Sequence, residues 1–440
     1  MAGQAVQSAA ATGLPEGQAL DPVTAAANDA YTARLHTSLE AARPLWLRYE
    51  ADGVCTAHQH YAWAEGIVAR LMPKGADVLI VEVNDAATGA PRMLVPLMRR
   101  PAFHHRVIEW LSCGVCDYSA PLLADASPWT RQSAQAAWAA VRSVLPPADR
   151  INITGIPQSI SGVANPLALL AATRDSLHTS FGLAIEGDPE TVLKRLCRPS
   201  FVKAFNKDWR RIERLGSVEL VEANTPALVE LIFGSLVRMR LSRFRELGRF
   251  DLLTQATAVD FYRNAALEGL SDGSVRLFGL RVGEALIAVQ YLLIHQVTVH
   301  ALLISIDQGA VPNVSPGLLI MGKLMSWARE KGFDYFDLSV GNQSYKEHMG
   351  ATGSVLRELC HGVTVRGNAV STALEVRNRT EVFVRSKPRL LKTIQRLMRG
   401  LRRLRGGTGM TGEACGKLRD ANYSDHGFAR WAVFPDCRQR

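Results

Sequence analysis

Residues Val297–Gly350, VTVHALLISIDQGAVPNVSPGLLIMGKLMSWAREKGFDYFDLSVGNQSYKEHMG, decide how the chain is read. VTVHALLISI is a nearly continuous run of β-branched and aliphatic residues, the pattern of a strand buried on both faces. Gly309, Pro312 and Asn313 then break it. Ser315 stands where an N-cap belongs, and Pro316 suits the first helical position. Ile320, Met321, Leu324, Met325 and Ala328 share one helical face. Arg329 and Lys331 complement the negative end of the helix dipole, and Gly332 ends the helix. FDYFDLSV predicts the next strand, with Tyr345 and Lys346 in a short helix or turn just past it. A helix start aimed out of a sheet, beside the end of a neighbouring strand, is a ready anion site. The chemistry is expected there.

Working outward, SVRLFGLRV and ALIAVQYLLI read as two further strands, with joins short enough for antiparallel hairpins. Before them come a strand, SVELVEA, a helix opened by Thr225-Pro226, and a second helix over 256–268. SVLRELCHGVTVRG, after the Tyr-Lys turn, reads as a strand pair. The order of the second half is β-α-α-β-β-β-α-β-α-β. In the first half, 32–50 carries a helical pattern and HYAWAEGIVARLM (60–72) a clearer one. DVLIVEV and MLVPLM form a hairpin, HRVIEWL a third strand and CDYSAPLL an irregular strand edge. A helix over 129–145 and the strand INITGI close an α/β (α+β) unit. The basic, aromatic stretch LKRLCRPSFVKAFNKDWRRIERLG reads as a helix linking the halves.

At 440 residues the chain calls for two domains, and an apolar fraction of 47% supports sizeable cores. No apolar run is long enough to span a bilayer, and the first residues lack the basic start and apolar core of a secretory signal. Seven cysteines, an odd and sparse count, fit a reducing compartment. Cys113 and Cys116 form a lone CxxC with no second pair in range, so packing rather than metal is expected. The net charge of +10 is concentrated near the C-terminus. Arg385 to Arg405 holds nine basic residues and no acidic one, with leucines at helical spacing. Such a basic amphipathic helix either lies on an anionic bilayer surface or packs its apolar face on the protein. Asn206, Lys207, Trp209, Arg210 and Arg211 lack the repeated aromatic-basic interleaving of a stacking platform, so no nucleic acid is expected.

The strand order, with SPGLLI and GFDYFDLSVGNQSYKEHMGA, resembles the GNAT (Gcn5-related N-acetyltransferase) superfamily. It looks like the cellulose-biosynthesis-type acetyltransferases, a branch distantly similar to the Fem-type aminoacyl transferases. The resemblance implies tandem GNAT-like modules with mixed sheets flanked by helices: a degenerate module over 31–185 and an acyltransferase module over 186–370. A disordered N-terminus (1–30), the basic helical segment (371–405) and a flexible tail (406–440) flank them. It implies an acetyl-CoA or other acyl-CoA co-substrate, no metal, a small-molecule or saccharide amine acceptor, and a cytoplasmic site at the inner face of the membrane. GAVPNVSPG departs from the usual glycine-rich pyrophosphate loop and lacks the arginine that precedes it, which leaves the donor open. A non-catalytic accessory of exopolysaccharide synthesis is the alternative, and transfer from aminoacyl-tRNA a third reading.

The candidate residues follow. Ser315, Gly317 and Leu318 would present first-turn amides to a pyrophosphate, with Lys346 as a point charge on a donor phosphate. Tyr345, by the resemblance, protonates the departing thiolate, and the bland reading is a core aromatic. Asp337 would position or deprotonate the amine, or merely cap a turn. Ser339 shares its face by strand alternation. Arg238 and Gln290 are candidates for the acceptor site. His295 and His300 read as packing residues.

Overall fold

Two runs of alternating strands and helices fold onto one sheet. The computed structural model describes residues 24–27, 30–102, 104–307 and 309–386. The first run comprises β1 (Thr24–Ala27), β2 (Tyr31–His36), α1 (Leu39–Asp52), α2 (Tyr61–Arg70), β3 (Asp77–Asp85), β4 (Pro91–Ala102), β5 (His105–Trp110) and β6 (Leu122–Leu123). It continues with α3 (Arg131–Val144), β7 (Arg150–Ile156), the small pair β8 (Ser159–Ile160) and β9 (Val163–Ala164), and β10 (Arg174–Ala184). The second run has α4 (Val192–Leu196), α5 (Pro199–Glu213), β11 (Val218–Glu222), α6 (Pro226–Glu246), α7 (Ala256–Asp272), β12 (Val275–Val282), β13 (Ala285–His295) and β14 (Thr298–Ile306). It ends with α8 (Pro316–Glu330), β15 (Tyr335–Val340), α9 (Ser344–His348), β16 (Thr352–Gly362) and α10 (Val365–Ser386).

Across the sheet the order is β1-β2-β3-β4-β5-β7-β16-β10-β15-β14-β13-β12-β11, with β6 beside β4. Among the described residues two pairs of neighbouring strands run parallel, one in each half, and each pair holds three register pairs. These are Val107↔Arg150, Ile108↔Ile151 and Glu109↔Asn152 for β5 and β7. For β14 and β15 they are Thr298↔Tyr335, Val299↔Phe336 and His300↔Asp337. Pairing then stops although β14 runs on to Ile306 and β15 to Val340, which leaves a wedge between them. A register shift opposite Tyr291 and Leu292 puts a bulge at Leu302. Leu302 and Leu303 consequently pack into the same cluster despite being adjacent. The halves repeat one topology, a mixed α/β arrangement of strands flanked by helices. β16 and β10 stitch them, since β16 pairs with β7 of the first half and β10 with β15 of the second.

One core spans both halves. It joins α1, α2, α6 and α7 on one face of the sheet, with Trp63 and Phe261 at 4.6 Å between ring centroids. The opposite face carries α3 over the first half, and α4, α5 and α8 over the second.

Several expectations change. The stretch read as helical from 32 is the strand β2 followed by α1; YTARLH alternates buried and half-buried residues, a period-2 signal too short to stand out. The predicted strand pair after 353 is one long strand, β16, then α10. Strand β10 was not foreseen, because RDSLHTSFGLA lacks a β-branched run and shifts register between Asp175 and Thr179. α5 is not a free linker. It packs Phe201, Phe205 and Ile212 into the α8 core, with Phe205 stacked on Trp209 at 5.8 Å. Apart from its first two residues, the basic segment 385–405 lies outside the described residues, as do 1–23 and 406–440.

Candidate functional site

The wedge between β14 and β15 is bordered on one face by the start of α8 and by α9. Ser315 occupies the N-cap position of α8, but its side chain makes no capping bond. Its N–H instead donates to the Asp208 carboxylate of α5 at 3.0 Å, and the Leu318 N–H donates to the Ser315 carbonyl at 3.0 Å. Of the three predicted amides, Gly317 is the one with no such acceptor among the described residues. Arg211, also on α5, donates to the Asn313 carbonyl at 3.2 Å, which brings a guanidinium to the loop that lacks its own. The corresponding helix of the first half, α3, is closed by its own side chains. Ser133 N–H donates to Thr130 Oγ1 at 3.1 Å, and Thr130 N–H to Ser133 Oγ at 2.9 Å.

Tyr345, in α9, packs against the cluster that includes Leu319, Ile320 and Met321 of α8, so the phenol and the start of α8 share one face of the sheet. Burial pushes its pKa up. Lys346 does not project towards a phosphate. Its ammonium is wholly buried and donates to the carbonyls of Ser339 and Val340 at 3.0 and 3.1 Å. Those carbonyls lie at the end of β15, where Ser339 adopts a left-handed conformation (φ +65°) and ladder pairing to β14 has stopped. Burial lowers the lysine pKa to about 7, against the opposing pull of Asp337 and Asp117.

Asp337 and Ser339 face the other way, towards the first half, while Phe336 and Leu338 pack on the α8 side. Asp337 accepts three hydrogen bonds, from His300 Nδ1 at 2.8 Å, Tyr118 Oη at 3.0 Å and the Ser339 N–H at 2.6 Å. The Ser339 hydroxyl bonds the Asp117 carboxylate. The His58 ring meets those of Tyr118 and His300 edge-on, at 5.4 and 5.6 Å. Beside them His295 bonds His60 at 2.7 Å and the Cys55 thiol at 3.4 Å. Burial pushes the histidines down, to about 3 for His60 and about 4 for His295, so both are neutral at pH 7. The structure therefore separates Tyr345 from Asp337 by the thickness of β15 and joins Asp337 to a polar layer between the halves. Sequence reasoning missed Asp117, Tyr118 and His58. The contact from Tyr118 to Asp337 spans 219 positions, and the DYSAPLL stretch was the only hint.

Gln290 is buried, with its amide donating to the Tyr291 carbonyl at 3.0 Å and its Oε1 unpartnered. Arg238 bonds Ser235 within its own helix at 3.2 Å. Its neighbour Arg240 does more: it pairs with Asp251 at 2.7 Å and donates to the Ile304 carbonyl at 3.2 Å, tying α6 to the far end of β14. Cys113 and Cys116 are both free thiols. Among the described residues no group of three or more His, Cys, Asp or Glu is arranged to hold a metal ion, and no helix is long and apolar enough to cross a membrane.

Residues 199–347 match the model of an acetyltransferase (GNAT) domain. No curated protein matches the chain. Among solved structures, FemX superposes with a TM-score of 0.51 at 10% identity, covering 74% of this chain and 96% of its own; that likeness bears on the fold alone. The C-terminal domain of a putative lysylphosphatidylglycerol synthetase from Agrobacterium fabrum gives 0.43 at 13%, covering 77% and 94%. A tandem GNAT protein from the clavulanic acid biosynthesis pathway gives 0.41 at 13%, covering 76% and 99%.

Proposed function

We propose that this chain, which carries a GNAT-type acyltransferase domain, moves an acyl group from a coenzyme A thioester to an amine. The observation that carries the reading is the wedge: β14 and β15 pair over three residues and then separate, with the α8 start and Tyr345 on one face. An extended thioester fits such a gap because unpaired strand edges need hydrogen-bond partners. The Gly317 amide and Arg211 would hold the pyrophosphate, with Ser315 and Leu318 shaping the turn rather than donating. Backbone amides of β14 near the Leu302 bulge would polarise the acyl carbonyl. Tyr345 would protonate the departing thiolate, since a desolvated phenol and thiolate can exchange a proton that the same groups in water would not. A saccharide amine as acceptor, and a role beside a polysaccharide synthase, rest on the family resemblance. One observation favours the non-catalytic reading: the Asp208 carboxylate already occupies the Ser315 amide, at the end of α8 where an anion would sit.

Thermal shift with acetyl-CoA tests both readings. Ligand at about 100 times its Kd should stabilise the fold by about 2.7 kcal/mol, and thiol release in the presence of an amine should fall in Tyr345→Phe while the shift persists. No shift with millimolar acetyl-CoA or other acyl thioesters would leave the accessory reading standing.

A further inference from the structure

The third register pair of each parallel fork holds a polar side-chain pair, and the two forks differ in what that pair can do. In the first half the pair is Glu109 and Asn152, bonded at 3.1 Å, and Arg100 clamps the same carboxylate at 2.7 and 3.1 Å. That acid is spent on a guanidinium. In the second half the pair is His300 and Asp337, with no lysine or arginine bonded to the carboxylate among the described residues. Asp337 fixes His300 through Nδ1 and is itself fixed by Tyr118 and the Ser339 amide. A carboxylate accepting from Nδ1–H sets the tautomer that leaves Nε2 as a proton acceptor. The His300 Nε2 has no hydrogen-bond partner among the described residues, and its side chain keeps 7% of its surface in solvent. The pair sits where β14 and β15 part, on the face opposite Tyr345.

We infer that His300 is the general base of the transfer, that Asp337 and Tyr118 are its positioning residues, and that the acceptor amine enters from the side of the first half. The inference rests on the acyl-transfer reading and deepens it: the active site is composite, and the first half completes it. The amine nitrogen forms the new bond to the acyl carbon, His300 Nε2 takes the proton the nitrogen loses, and the carbon–sulfur bond breaks. The thiolate takes a proton from Tyr345; solvent then reprotonates the phenol and accepts the proton from His300. Amide and free thiol are the products. The groups that meet His300 are Asp337 from β15 and the Tyr118 and His58 rings from the first half, and His60 and His295 lie within electrostatic reach of it. The neutral His60 and His295 do not compete for the proton at pH 7.

Two measurements on the full chain test this. Diethyl pyrocarbonate acylates accessible neutral imidazoles, and peptide mapping should find His300 modified along with the exposed His348, but not His60 or His295, which bond each other. Thiol release from acetyl-CoA, with glucosamine and lysine as amine probes, should fall about 100-fold or more in kcat for His300→Gln, with the acetyl-CoA thermal shift unchanged. Asp337→Asn and Tyr118→Phe should lower kcat while the KM for acetyl-CoA and its thermal shift hold, a split that a merely structural loss would not give. An unmodified His300, or a His300→Gln protein that transfers at the wild-type rate, overturns the inference. Wild-type protein that binds no thioester and releases no thiol, with His300 modified, overturns the acyl-transfer reading and the base role with it.

Discussion

Replacing Lys346 by methionine should remove a pH dependence from the stability of the fold. The ammonium is wholly buried, and burial lowers its pKa from the ordinary 10.5 to about 7. Between those values the unfolded chain binds a proton that the folded chain does not, so stability rises with pH. Below pH 7 both states are protonated and the fold bears the full cost of burying the charge. Integrating from pH 6 to pH 9, this one group adds about 2.5 kcal/mol to the unfolding free energy. Methionine has nothing to titrate. It also leaves the Ser339 and Val340 carbonyls without their donor, at a cost of about 1–3 kcal/mol each that does not vary with pH. The informative quantity is therefore the slope of the wild-type minus Lys346→Met difference, not its offset. Urea unfolding at pH 6, 7, 8 and 9 measures it, and titrations common to both proteins cancel. A difference flat to within about 0.5 kcal/mol would mean that Asp337 and Asp117 hold the lysine charged through pH 9, and that the burial argument is wrong.

Two further perturbations test how helices α6 and α7 are held to the sheet. Asp251→Ala removes the carboxylate paired with the buried Arg240 guanidinium and should cost about 3–5 kcal/mol in urea unfolding; the Arg240→Met/Asp251→Ala double variant should recover part of the loss, and a single-variant cost under about 1 kcal/mol would refute the pairing. Gly269→Ala would put a methyl 2.6 Å from Val275 Cβ and 2.8 Å from its carbonyl oxygen, so α7 must lift off β12. A loss of about 1–3 kcal/mol is expected, and an unchanged urea midpoint would mean that this approach is looser than it stands.

The second half was legible because its signals are local. Three β-branched runs with two-residue joins, Thr225-Pro226 and Ser315-Pro316 at helix starts, and Gly332 at a helix end each act within a few residues of themselves. β12 to β15, α6 and α8 follow from them. The same locality explains why Asp337 and Ser339 were placed on one face: strand alternation needs no partner. What the sequence could not give is which residues meet them. Tyr118 reaches Asp337 across 219 positions, Asp117 reaches Ser339 across 222, and His60 reaches His295 across 235. Lys346 reads in sequence as a point charge for a donor phosphate, whereas its ammonium is taken up by the carbonyls at the end of β15. Ser315 looked like a side-chain cap until α5 brought Asp208 to its amide. Helix and strand propensity are written in short windows of sequence, whereas a buried polar group is satisfied by whatever the sheet order carries to it. That order was fixed here by β16 and β10, the strands that cross between the halves and had the weakest patterns of their own.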